Sequence, residues 1–163
     1  MEESLNKELN NINSNIEFDI NEEIIGDLSA DKEQCLNPYQ YSPLALAYIG
    51  DSALDLIVKT YFVKHSNRQT NKYHKDVSNI VKAVNQSKFV DSILDELLED
   101  EMDVYKRGRN ASTHSKAKNA TMGEYRKATG LEALFGYLYL KADTKRLKYF
   151  AEKMIEGYIN QEK

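Results

Sequence analysis

The rhythm of apolar positions along the chain changes at residue 41. Before it, scattered Leu and Ile lie among Asn and Glu without a sustained period, and such a segment reads as a mobile or weakly helical arm over residues 1–39. From Tyr41 the pattern is helical. Ser42 followed by Pro43 is a capping residue and a first-turn proline, the expected start of a helix. The run LALAYIGDSALDLIVKTYF behind it is apolar on more than one face, which predicts a central, buried helix closed by His65. Helical spacing of Tyr73, Val77, Ile80, Val81 and Val84 predicts a second helix over about residues 71–86, and Phe89, Val90, Ile93, Leu94 and Leu97 predict a third over about 87–99. A short fourth, around 100–106, runs into the loop RGRNASTHSKAKNATMG. The fifth, about 124–141, is apolar nearly all round except for Glu132. A sixth starts at a cap on Asp143 or Thr144 and buries Leu147, Phe150, Ile155 and Tyr158. No stretch alternates convincingly with period two, so the fold class expected is all-α, with one domain over residues 40–160.

Composition narrows the setting. A chain of 163 residues is long enough for one proper core. Its single cysteine, Cys35, cannot close an internal disulfide, which excludes a cross-linked secreted scaffold and points to a reducing compartment. No run approaches the roughly 18 apolar residues of a membrane span, and the start MEESLNKELN is acidic where a secretory leader would be basic and then apolar. The expectation is a soluble, cytoplasmic protein without a membrane partner.

The net charge of −4 at first argues against a nucleic-acid partner. Its distribution reverses that. Residues 1–36 hold two lysines against ten acids, a net −8, so the remaining residues carry 20 basic groups against 16 acids, a net +4. Between Tyr105 and Lys127 stand seven basic residues, Lys106, Arg107, Arg109, Lys116, Lys118, Arg126 and Lys127, with Glu124 the one acid. Most such runs are solvated surface. Here the run coincides with a loop containing Gly, Ser and Asn, which favours phosphate contact.

Two carboxylates interrupt otherwise apolar helices, Asp51 in the first and Glu132 in the fifth. A buried, ionised acid needs a partner, and a salt bridge to a neighbouring helix serves that need for either one alone. Taken together they suggest convergence on a hard cation such as Mg²⁺, which takes one or two protein carboxylates, keeps several waters and completes its shell with substrate phosphate. Asp55, one turn after Asp51, either supports that site or pairs with Lys59. Gly50 and Gly136 imply close approach of backbone to another helix or to a ligand. His65, His74 and His114 form no cluster, and no glycine-rich phosphate loop is present, so nucleotide-cofactor enzymes drop out.

The segment YSPLALAYIGDSALDLIV resembles the signature helix of the ribonuclease III catalytic domain. KRGRNA followed by YRKATGLEALFGYLYL resembles its small bacterial branch, the Mini-ribonuclease III enzymes, which lack a double-strand RNA-binding domain. The resemblance covers roughly residues 40–158. It matches Asp51 and Glu132 to the family's catalytic, metal-binding acids, while two further acids of the larger enzymes correspond to Ala47 and Thr129. It implies a two-fold symmetric helical homodimer that uses Mg²⁺, with Mn²⁺ as a substitute, to hydrolyse double-stranded RNA to 5′-phosphate ends. The implied substrate is the precursor of large-subunit (23S) ribosomal RNA, contacted by Arg107, Arg109, Lys116 and Lys118. The missing acids leave an alternative, a non-catalytic double-stranded-RNA-binding or ribosome-assembly module on the same fold. A general protein-interaction domain, without affinity for RNA, is the blandest reading.

Overall fold

The structure, a computed structural model, describes residues 36–111 and 119–162, and six α-helices carry the fold among them. Of the arm expected over 1–39, residues 1–35 lie outside the described residues, as do His114, Lys116 and Lys118, while Pro38–Gln40 form a single helical turn. Helix α1 is Pro43–His65, α2 Thr70–Val81, α3 Ala83–Ile93, α4 Glu99–Asn110, α5 Met122–Leu140 and α6 Thr144–Gln161. No strand occurs among the described residues, as the all-α reading requires.

Side-chain caps set three of the six helix starts. Ser42 Oγ accepts from the amide of Ala45 at 3.2 Å, with Pro43 in the first turn of α1. Thr121 and Glu124 exchange bonds at the start of α5, and the Asp143 side chain accepts from Arg146 N at the start of α6. The break between the second and third helices falls at Lys82, earlier than the spacing predicts. Lys82 is extended, with ψ 144°, and α3 begins immediately after it. Side chains in the first turn of α3 replace the lost helical donors: Asn85 Nδ2 donates to the carbonyl of Asn79 and Gln86 Nε2 to that of Val81. Helix α4 also runs further than expected, so KRGRN is helical. Gly108 within it is buried, and a Cβ there would lie 2.6 Å from Ala133 Cβ of α5.

Helix α5 is the axis. Leu131, Ala133, Leu134, Phe135, Tyr137 and Leu138 are all buried, and α1, α3 and α4 pack around them. The crossing of α1 and α5 is a contact of backbones. A Cβ on Gly50 would stand 1.7 Å from the carbonyl oxygen of Glu132, and one on Gly136 would stand 1.9 Å from that of Leu46. Only glycine permits this approach, which settles both residues as helix-contact positions. It also fixes Asp51, the neighbour of Gly50, beside Glu132.

Helix α1 departs from its expected burial. Leu46, Ala47, Ala53, Leu54, Val58 and Phe62 enter the core, but Leu44, Tyr48, Leu56 and Val63 face outward, Tyr48 with 81 % of its surface exposed. Apolar residues on more than one face of α1 therefore mean one buried face and a second one open in the single chain.

Candidate active site

Asp51 and Glu132 are held where α1 and α5 touch. Asp51 lies at the surface, correcting the expectation that it sits in the interior, and Glu132 is half-buried. Partial burial, then the charge of Asp55, raises the Asp51 carboxyl above its usual range. Glu132 is pushed up to about 7 by burial and by the Asp51 charge, against the opposing effect of a hydrogen bond from Gln86. Among the described residues neither acid pairs with a cation. Asp55 is occupied elsewhere, 2.6 Å from Lys59 Nζ, although its charge still reaches Asp51.

Gln86, on the first turn of α3, completes the local arrangement and was not singled out by the sequence reading. Its Nε2 donates to Glu132 Oε1 at 3.2 Å and to the Val81 carbonyl at 2.7 Å, while its own Oε1 is buried without a hydrogen-bond partner among the described residues. The signal was present in the stripe Gln86, Phe89, Val90, Ile93, where a polar residue occupies a core position. Two carboxylates and an orphaned amide oxygen are hard oxygen donors, a set suited to a hydrated divalent cation and not to a soft one. The described residues hold no group of three or more His, Cys, Asp or Glu for a metal. Ala47 is buried and Thr129 Oγ1 donates to the carbonyl of Tyr125 on its own helix, so neither extends the set.

A different buried acid proves structural. Glu101, 1 % exposed, receives Nε and Nη2 of Arg146 at 2.7 and 2.8 Å and the amide of Leu98 at 2.9 Å. This pairing joins α4 to α6.

The basic residues divide by task. Arg107 donates through both terminal nitrogens, at 2.9 Å each, to the carbonyls of Tyr39 and Tyr41, and lies over the Tyr39 ring. It fastens the turn Pro38–Gln40 to α4. Tyr39 Oη adds a 2.5 Å bond to Asp103. Lys127 is held by both oxygens of Asp91. Arg109 bonds Asn110 beside it and stacks on Tyr105, at the edge of the segment that carries Lys116 and Lys118. His74 is exposed on α2, and His65 stacks on Tyr61 at the end of α1.

The described residues form an all-helical domain, and the profile of the family described as Ribonuclease III domain matches residues 44–143. Curated relatives agree. The Mini-ribonuclease 3 of Clostridium tetani is 42 % identical over 120 residues, covering 73 % of this chain and 80 % of that protein. That of Staphylococcus aureus is 40 % identical over 116 residues, covering 70 % and 87 %. A crystal structure of a Fusobacterium nucleatum protein, 30 % identical, covers 72 % of this chain and 94 % of its own with a TM-score of 0.66. The chain belongs to the Mini-ribonuclease 3 branch of the ribonuclease III family, and its class of activity is that of an endoribonuclease.

Proposed function

We propose that this chain is a cytoplasmic, homodimeric, Mg²⁺-dependent endoribonuclease that cuts double-stranded RNA and matures the precursor of 23S ribosomal RNA. The observation that carries the reading is the glycine-mediated contact of α1 and α5, which brings Asp51 and Glu132 to one place with no cationic partner among the described residues. Two acids at a shared site repel, and a divalent ion is the chemistry that relieves the repulsion. Asp51 and Glu132 would hold Mg²⁺, or Mn²⁺ in its place. In-line attack of water on phosphorus breaks the P–O3′ bond and leaves 5′-phosphate and 3′-hydroxyl ends, and the bound cation supplies the Lewis-acid and water-activating chemistry. Glu132 must be ionised to bind it, so the Gln86 donor and the cation act in the same direction.

Arg109, Lys116 and Lys118 are the proposed contacts to the phosphates of an A-form duplex, read by shape more than by sequence. Arg107 contributes charge to the same surface while its guanidinium holds the 39–41 carbonyls. The homodimer is supported by the outward apolar face of α1, because a second copy would cover Tyr48, Leu56 and Val63 and set two sites about a two-fold axis, one for each strand.

The alternative, a non-catalytic double-stranded-RNA-binding or ribosome-assembly module, is favoured by the apolar Ala47 and the helix-bonded Thr129 where the larger enzymes carry acids. One experiment separates the two. A precursor stem incubated with the protein across a Mg²⁺ series should be nicked to 5′-phosphorylated products, and a chelator should stop the reaction. Salt-sensitive binding with intact strands at every Mg²⁺ concentration would select the alternative.

A further inference from the structure

Gln86 is enclosed at the start of α3, 1 % exposed, and capping explains its position only in part. The Val81 carbonyl can only accept, so the amide nitrogen must be the atom that faces it, and the same nitrogen reaches Glu132 Oε1. The amide oxygen is thereby turned away and left buried without a donor among the described residues. Native proteins rarely leave such an atom unmatched. A cap alone would not demand it: the neighbouring Asn85 caps the Asn79 carbonyl from a half-buried position with no orphaned atom.

Resting on the reading that Asp51 and Glu132 hold a divalent cation, we propose that Gln86 is the positioning residue of that site. Its N–H fixes Oε1 of Glu132 and with it the rotation of the carboxylate, leaving Oε2 for the cation. Its oxygen is out of reach of solvent, so the orientation of the amide is held for its two N–H bonds at the cost of that unmatched acceptor. Such a role suits a site with two protein acids, since with so few carboxylate ligands the orientation of each one bears directly on how Mg²⁺ is held. The Val81 bond makes the arrangement rigid, because the same amide is anchored to the end of α2. Gln86 acts on the reaction through Glu132 and does not touch substrate.

The test is the affinity of the full chain for Mn²⁺ alone, followed by electron paramagnetic resonance, in the wild type and in Asp51→Asn, Gln86→Met and Asn85→Ala. Gln86→Met should weaken Mn²⁺ binding roughly 10–100-fold, the usual effect of removing a partner that orients a metal ligand. Duplex cleavage by Gln86→Met should recover as Mn²⁺ is raised, with half-activity displaced to higher metal and kcat largely restored. Asn85→Ala, which removes only a cap at the same junction, should bind Mn²⁺ as the wild type does. A folded Gln86→Met with wild-type affinity overturns the proposal. Undiminished binding by Asp51→Asn overturns the metal-site reading and the proposal with it. The wild type provides a check that needs no variant: the Gln86 side-chain amide resonance should move as Mg²⁺ saturates the site, and a stationary resonance contradicts the assignment.

Discussion

Burial holds the Glu132 carboxyl at about 7, with the Asp51 charge adding to the shift and the Gln86 donor opposing it. In the unfolded chain the same group titrates near 4.5. Between those values the folded protein keeps a proton that the unfolded chain has released. The stabilisation is therefore complete below 4.5 and is lost as pH rises through about 7, leaving the metal-free fold weaker at pH 8 by roughly 3 kcal/mol. Glu132→Gln removes that cost. In chelator at pH 8 the variant should melt several degrees above the wild type, and near pH 4 the two curves should coincide; equal melting at pH 8 would contradict the burial of charge. Asp51 and Glu132 were legible because an acid breaks an apolar run. Gln86 and Glu101 carried the same signal, each standing on a buried stripe, but Gln86 read as the end of a helix and Glu101 was not singled out among the acids that open the fourth helix. What told the two apart, an orphaned oxygen in one and a bidentate arginine in the other, depends on neighbours from α5 and α6 that no local pattern records.

The α1–α5 crossing depends on two glycines, and helix propensity alone would replace both. Gly50→Ala should destabilise by about 1–3 kcal/mol or more, since the new methyl has backbone, not a movable side chain, in its way. Gly157→Ala, in exposed α6 with nothing within 4 Å of the added carbon, should instead stabilise by about 1 kcal/mol. Urea denaturation of the pair checks both signs, and loss of cleavage in a still-folded Gly50→Ala would show that the crossing positions the acids. The number, type and caps of the helices were readable from spacing and from Ser42 and Asp143. The bend at Lys82 was not, because Val77, Ile80, Val81 and Val84 keep the helical spacing across it and the caps that stabilise it come from side chains after the break. The helical state of RGRN was missed for a related reason: Gly108 resembles loop punctuation in sequence and is a packing position in the fold.

For the molecule as a whole, the proposed assembly rests on the open face of α1 and the proposed substrate contacts on the basic residues that follow α4 in the sequence. Leu56 is 59 % exposed and Val63 60 % exposed in the single chain, so Leu56→Asp should change monomer stability by no more than about 0.5 kcal/mol. If a second copy covers that face, the same change should shift the sedimenting species from dimer to monomer at micromolar concentration; an unchanged species would refute that interface. The total charge of −4 is a poor guide to partners because acids concentrated in residues 1–36 mask a body of net +4. No helix among the described residues is long and apolar enough to cross a membrane. Under the proposed function Asp51 and Glu132 act together on duplex RNA, and cleavage and binding of one labelled precursor stem by wild type and Asp51→Asn, at saturating Mg²⁺, decide whether they do. Asp51→Asn should retain binding and lose cleavage; cutting at the wild-type rate by that variant would rule out a shared catalytic role for the two acids.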